Sequence, residues 1–179
     1  GRVCYNNAER AGKKGFERGG TAMNFTIRRF QERDAEETSA VIGAALRISN
    51  APDYPAEIIQ EMLELYAPGN LLEQAGNEHL YVLLDGNRII GCGGIAPYLG
   101  SETESILVTI FVLPECQGTG AGRALMETLE KDTYFLRADR VVIHSSITAR
   151  DFYLKMGYQF SDGVGTPDEE GCIRMEKKA

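Results

Sequence analysis

Six residues near the middle of the chain have the type and spacing to do chemistry. Gln117-Gly118-Thr119-Gly120-Ala121-Gly122 places three glycines between a β-branched run, Ile106 to Val112, and a stretch of good helix formers from Arg123 to Leu136. The run reads as a buried strand and Pro114 stops it. A glycine turn feeding a helix N-terminus is an anion site, because unpaired backbone N–H groups point outward and the helix dipole adds positive potential. The natural ligand is a phosphate or pyrophosphate. Spacing narrows the choice. A P-loop requires Lys-Ser/Thr after its last glycine, and Arg123-Ala124 stand there instead. A dinucleotide fingerprint started at Gly118 has Gly120 but Arg123 where its third glycine belongs, and no strand–helix–strand unit with an acidic residue about 20 positions on is evident. What remains is Gln-x-x-Gly-x-Gly. An ordinary glycine-rich strand-to-helix turn has the same composition.

The elements around this loop can be read in chain order. Residues 1–22 are rich in Gly, Lys, Arg and Asn without periodicity, and are expected to form a poorly ordered extension before a domain spanning 23–179. Met23 is a candidate initiator. Asn24 to Phe30 alternates as a strand. Asp34 is placed to cap a helix running to about Ser49, with Glu37 three residues on as its capping-box partner. A second helix follows Pro55, carrying Ile58, Ile59, Met62, Leu63 and Tyr66, and Leu71 to Ala75 adds a turn. His79 to Leu84 and Arg88 to Ala96 are strands joined by Asp85-Gly86-Asn87, a hairpin signal. Gly91, Gly93 and Gly94 weaken the second of these and predict a bulge or a close approach. Glu104 to Val112, Arg140 to Ser145, Tyr158 to Ser161 and Cys172 to Glu176 complete the strands, and a short helix capped by Ser146 or Thr148 runs to Met156 before Gly157. The order predicts a single-domain α/β fold. Its sheet is mixed, mostly antiparallel and of about seven strands, with about four helices and one right-handed parallel crossover.

Composition sets the function classes aside. The net charge of −7 speaks against a nucleic-acid face, and no apolar run is long enough to span a bilayer. Cys4, Cys92, Cys116 and Cys172 are scattered without metal-ligand spacing, so no metal is expected and reduced cytoplasmic thiols are the plain reading.

A second motif joins the loop. Ala149-Arg-Asp-Phe-Tyr153-Leu-Lys-Met-Gly157-Tyr158 follows about thirty residues later. Together with "FVLP" and Gln117 to Gly122, it resembles the GNAT N-acetyltransferase superfamily, best between Ile106 and Tyr158. The resemblance implies acetyl-CoA as co-substrate and a splayed parallel strand pair. The pantetheine arm would pair with the backbone of Phe111, Val112 and Leu113 like an added strand. The pyrophosphate would lie on amides of Gln117, Gly118, Thr119, Gly120, Ala121 and Gly122, with Arg123 beside them. Tyr153 matches the family's general acid, near the leaving thiolate. The alternative for Tyr153 is a core tyrosine, although Phe152 is the better core candidate. Many members have Asn seven residues before this tyrosine; Ser146 stands there and can supply one hydrogen bond but not the amide's pair.

The general base is left open between Glu104 and His144, with His79 a poorer candidate. The implied activity is direct transfer of an acetyl group to a primary amine in a ternary complex, with a backbone N–H such as that of Val112 polarising the thioester carbonyl. The acceptor is a small-molecule amine, a peptide N-terminus or a lysine, and a homodimer is implied by the family habit. The other reading is a CoA-binding sensor that has kept the fold and lost catalysis.

Overall fold

A computed structural model describes residues 25–178. The expected N-terminal extension, Met23 and Cys4 lie outside the described residues. Seven strands form one sheet in the order β1-β2-β3-β4-β5-β7-β6. They are β1 (Phe25–Arg29), β2 (His79–Asp85), β3 (Arg88–Pro97), β4 (Glu104–Val112), β5 (Arg140–Ser145), β6 (Gln159–Phe160) and β7 (Ile173–Lys178). All neighbours are antiparallel except β4 and β5. The expected sheet and its single parallel pair are therefore present. Gly86 takes φ 60° in the two-residue turn between β2 and β3, where Asp85 and Arg88 pair.

Helices cover both faces. On one side lie α1 (Ala35–Ala45), α2 (Ala56–Leu65) and α3 (Pro68–Ala75). Their Ile42, Ile59, Met62 and Leu71 pack with Leu80, Cys92 and Phe111 of the sheet. On the other side lie α4 (Ala121–Leu129), α5 (Thr133–Leu136) and α6 (Arg150–Lys155), whose Leu125, Leu129, Phe135, Phe152 and Tyr153 join the larger cluster. Leu125 and Leu129 are fully buried, and burial of such side chains contributes about 1.5–3 kcal/mol each. Lys177 of β7 ties this layer together by donating to Glu130 Oε1 at 2.7 Å and to the carbonyl of Met156 at 3.1 Å.

Six α-helical segments stand where about four helices were expected. Pro68 fits the first helical position of α3, where no N–H is needed, so Leu71 to Ala75 belongs to a separate helix. The expected helix from Arg123 to Leu136 is broken at Asp132, whose carboxylate caps α5 by accepting from the Tyr134 N–H at 2.8 Å. The same carboxylate accepts from the Tyr81 hydroxyl at 2.7 Å and lies 2.8 Å from His79 Nδ1. His79 is thus held on the α4–α6 side of the sheet by Asp132 and by its contact with the Tyr134 ring.

The first helix also differs in detail. Asp34 closes a tight turn over Glu32–Asp34, accepting from the Gln31 N–H at 2.8 Å, and pairs with Arg28. Glu37 does not complete a capping box with Asp34; its carboxylate accepts from the backbone N–H of Ile89 on β3. Beyond Ala45 the helix widens into a π turn, Leu46–Asn50. The following break is anchored far along the chain. Tyr54 donates to the Gly171 carbonyl at 3.1 Å and accepts from the Ile147 N–H at 2.9 Å, while Thr148 donates to Asp53 at 2.6 Å.

Candidate active site at the fork between two parallel strands

The sheet opens where its parallel pair ends. β4 and β5 pair only from Glu104↔Arg140 to Leu107↔Ile143, after which β4 runs on to Val112. The cause lies on the other side of β4. Between the pairs Gly94↔Val108 and Cys92↔Phe111, Gly93 faces both Thr109 and Ile110, which is a β-bulge. Thr109 takes φ 56°, a left-handed conformation that costs a β-branched residue of order 1–3 kcal/mol. The extra residue bends β4 away from β5.

The three glycines of β3 meet this bend as the sequence predicted. A Cβ on Gly93 would lie 2.9 Å from Leu125 of α4, and one on Gly94 would lie 2.7 Å from Glu78 Oε1. Neither position has room for a side chain unless its neighbours move.

Past the bulge, β4 presents a backbone edge to the gap. Leu113 donates to the Ile90 carbonyl at 2.8 Å, so Leu113 and, two residues back, Phe111 aim their backbone at β3. Val112, between them, turns its N–H and C=O the other way. Of the three residues expected to hold a pantetheine arm, Val112 faces the gap. Its carbonyl accepts from Gln117 Nε2 at 3.2 Å, and the same nitrogen donates to Ser49 Oγ at 3.1 Å. Gln117 therefore links the strand edge, the glycine loop and the π turn.

The loop itself is shaped by two left-handed glycines, Gly118 at φ 77° and Gly120 at φ 92°. Thr119 braces the turn by donating to the Cys116 carbonyl at 2.6 Å. Gly120 is the N-cap of α4, and no side chain accepts from the first N–H groups of that helix. The space a Cβ would enter at Gly118 and Gly120 is open. Ala121 and Gly122 are buried while Arg123 is exposed. An oxyanion could approach this backbone closely, and the dipole of α4 favours it.

Tyr153 sits on α6 with no exposed surface, and its hydroxyl has no hydrogen-bond partner. Burial, followed by the neighbouring Tyr158, holds its pKa well above the ordinary tyrosine value. It is therefore a protonated donor. Phe152, which read as the better core residue, is buried as well, and the two rings meet edge to face at 5.1 Å. Ser146 is buried and uses its hydroxyl to accept from the Ala149 N–H at 3.1 Å, capping the turn into α6.

The two candidate bases fall at different places. Glu104 stands at the closed end of the parallel pair and is bound to Arg140 at 2.8 Å. His144 lies one residue beyond the last parallel pair, half-buried, with its ring edge to face with Tyr98 at 6.2 Å. Burial first, and Arg174 second, lower its pKa, so it is neutral near pH 7 and able to accept a proton.

His144 and Tyr98 line a cavity of about 510 Å³ on the α1–α3 side of the sheet, with Glu78, Pro97, Ile106 and Val108. Glu78 escaped the sequence reading. It precedes β2, in what reads as a polar turn, and only the bulge brings it into the site. It is 7% exposed and accepts from the Thr109 hydroxyl at 3.1 Å. Among the described residues, no cluster of His, Cys, Asp and Glu could hold a metal, and no helix is long and apolar enough to cross a membrane.

Comparison with known proteins bears on this arrangement. The family model described as an acetyltransferase (GNAT) domain matches residues 50–179. An uncharacterised N-acetyltransferase of Methanocaldococcus jannaschii is 28% identical over 163 residues, covering 85% of this chain and 90% of that protein. Among solved structures, the PaiA N-acetyltransferase of Thermoplasma acidophilum, in complex with coenzyme A, aligns with a TM-score of 0.76 at 18% identity, covering 88% of this chain and all of that one. A GNAT family acetyltransferase of Brucella melitensis, in complex with acetyl-CoA, aligns with a TM-score of 0.59 at 22% identity, over 76% of this chain and 84% of that one. At these identities the structures share the fold.

Proposed function

Because the chain belongs to the GNAT acetyltransferase family, we propose that it is an N-acetyltransferase that moves an acetyl group from acetyl-CoA to a primary amine in a ternary complex. The observation that supports this most is the fork. A strand edge at Val112, unpaired with β5 and with its carbonyl held by Gln117, leads directly to the glycine turn and the N-terminus of α4. An amide-bearing chain ending in a pyrophosphate matches that sequence of groups, hydrogen bonds first and anion site second. The residues fit the co-substrate: the left-handed glycines leave the loop backbone bare, and Tyr153 carries a buried hydroxyl in want of a partner.

The roles follow from chemistry. The thioester carbonyl lies near the bulge of β4, where a backbone N–H, with that of Val112 the candidate, stabilises the oxygen as charge develops. The amine nitrogen bonds to the carbonyl carbon and the carbon–sulfur bond breaks. His144, neutral at pH 7, takes the proton the amine loses, and the Tyr153 hydroxyl donates to the departing sulfur. The products are an amide and the free thiol of CoA. Cys116 is buried beneath the loop, which disfavours a covalent acetyl-enzyme.

Calorimetry with acetyl-CoA, followed by thiol release across an amine panel, tests the reading. Binding together with amine-dependent thiol release supports it. Binding without release to any amine would leave the sensor reading, and absence of binding would overturn both.

A further inference from the structure

The bulge that opens the fork is held by side chains as well as by the sheet. Thr109 sits at φ 56° and is 2% exposed. A β-branched residue within a strand ordinarily stays extended. Two groups reach Thr109 from the α1–α3 side. Glu78 Oε1 accepts from its hydroxyl at 3.1 Å, and Cys92 Sγ donates to its carbonyl at 3.3 Å. The thiol is a donor because burial, and after it the charge of Glu78, keep it protonated. The contact from Glu78 crosses a strand. Glu78 precedes β2, and its carboxylate lies over Gly94 of β3 to reach Thr109 of β4. A Cβ on Gly94 would stand 2.7 Å from Oε1 and 3.2 Å from Val108. Glycine at this position keeps the route open. A hydrogen bond to a carboxylate is stronger than one between neutral groups, and it offsets backbone strain of the kind Thr109 carries.

We propose that Glu78 is a positioning residue for the fork: with Cys92 it locks Thr109 in the left-handed conformation, and this lock holds open the slot for the pantetheine arm. The inference rests on the reading of the fork as the acetyl-CoA site. In this role Glu78 touches no reacting atom. It acts through the backbone of Thr109 on Val112, whose N–H and C=O face the gap further along the same strand. With the lock broken, Thr109 returns to extended backbone, the extra residue of the bulge is taken up, and β4 swings toward β5. The edge offered by Val112 then closes or slips in register. The glycine turn and the N-terminus of α4 lie beyond this point and keep their shape. The lock therefore serves the amide-bearing arm and not the pyrophosphate.

The test titrates the full chain by calorimetry with acetyl-CoA and with ADP, which carries a pyrophosphate and lacks the arm. Glu78→Ala and Gly94→Ala should each weaken acetyl-CoA by ~10-fold or more, the order of one hydrogen bond to a charged group, and change the Kd for ADP by less than ~2-fold. Glu78→Gln, whose amide oxygen still accepts from Thr109, should recover part of the loss. Thr109→Gly added to Glu78→Ala should recover it too, because glycine holds a positive φ without a lock. A role in general stability would weaken both ligands together and would not be relieved by a glycine. The intraresidue amide-to-Hα NOE of Thr109, strong at positive φ, reads the lock apart from any ligand; it should persist in Glu78→Gln and fade in Glu78→Ala. A parent chain that binds neither ligand would overturn the fork as the donor site, while this NOE still decides whether Glu78 holds the bulge. Parent-like affinity for acetyl-CoA in Glu78→Ala, equal weakening of both ligands, or an NOE indifferent to Glu78 overturns the proposal.

Discussion

Gln117 Nε2 lies 3.2 Å from the carbonyl oxygen of Val112 and donates a hydrogen bond to it. A strand carbonyl that turns into the fork is thereby partnered by the first residue of the glycine loop. Gln117→Ala removes this bond and the one to Ser49. Loss of two partly buried hydrogen bonds costs about 1–2 kcal/mol, or roughly 3–6 °C in Tm for a chain of this size. A pantetheine amide that donates to Val112 would restore one of them. The variant should therefore show a lower Tm alone and a larger rise on adding CoA than the parent protein. Equal rises in differential scanning would show that the ligand does not reach Val112.

Tyr153→Phe should move activity and stability in opposite directions. The hydroxyl has no protein partner, and such a buried group costs about 1–3 kcal/mol. Its removal leaves the ring packing with Phe152 and Tyr158 in place. Tm should rise or hold, while kcat falls by ~10²-fold or more if the hydroxyl protonates the leaving sulfur. A variant of full activity would reduce Tyr153 to a core residue.

The pH dependence of kcat/KM should report His144. Its pKa is depressed, first by burial and then by Arg174, with Asp168 and Glu170 acting in the opposite sense. A base must be unprotonated, so activity is lost as pH falls through this depressed value, below the ordinary imidazole range near 6.5. Arg174→Gln removes one depressing charge and should shift the acidic limb upward. The same sign applies to stability: the neutral form is favoured in the fold, so this contribution is present above the unfolded value and lost below it. An acidic limb that ignores Arg174→Gln would exclude His144 as the base.

Asp34→Asn should be one of the more damaging changes outside the site. Asp34 is 5% exposed, and its two oxygens are bound by Arg28 at 2.6 and 2.9 Å. The Arg28 hydrogen bond is the main reason its pKa is lowered, and burial opposes it. The stabilisation is present above the ordinary carboxylate value and disappears as pH falls through the depressed one. Breaking one partner of this pair should cost about 1–3 kcal/mol near neutral pH, with the gap between variant and parent closing in acid. Urea unfolding at two pH values measures it.

The mixed sheet, the succession of its strands along the chain and the glycine loop were legible because each carries a local signal. Gly86 marks a turn, Gly91, Gly93 and Gly94 mark the bulge and close approaches, and Gly120 marks the start of α4. Residues whose roles depend on tertiary pairing were not. Glu78 reads as the tail of a turn, and only the extra residue at Thr109 swings a hydroxyl to it. Asp132 looks like one more charge in a helical stretch; it ends that helix because Tyr81 and His79 from a distant strand hold its carboxylate. Asp34 has the spacing of a cap but is claimed by Arg28. For Glu78 and Asp132 the deciding partner is distant in sequence, and for Asp34 it is a residue of the preceding strand.

The anchor at Tyr54 has a consequence for how the molecule is born. Its hydroxyl bridges Ile147 and Gly171, 93 and 117 positions further on. Contacts so distant in sequence close late, because the intervening chain must be confined first. On a ribosome, α1 and α2 emerge long before the segments that tether the break between them. The break itself is therefore fully tethered only after Gly171 has been released. A nascent chain halted before Gly171 should carry a formed glycine turn while the break at Tyr54 is still only partly tethered.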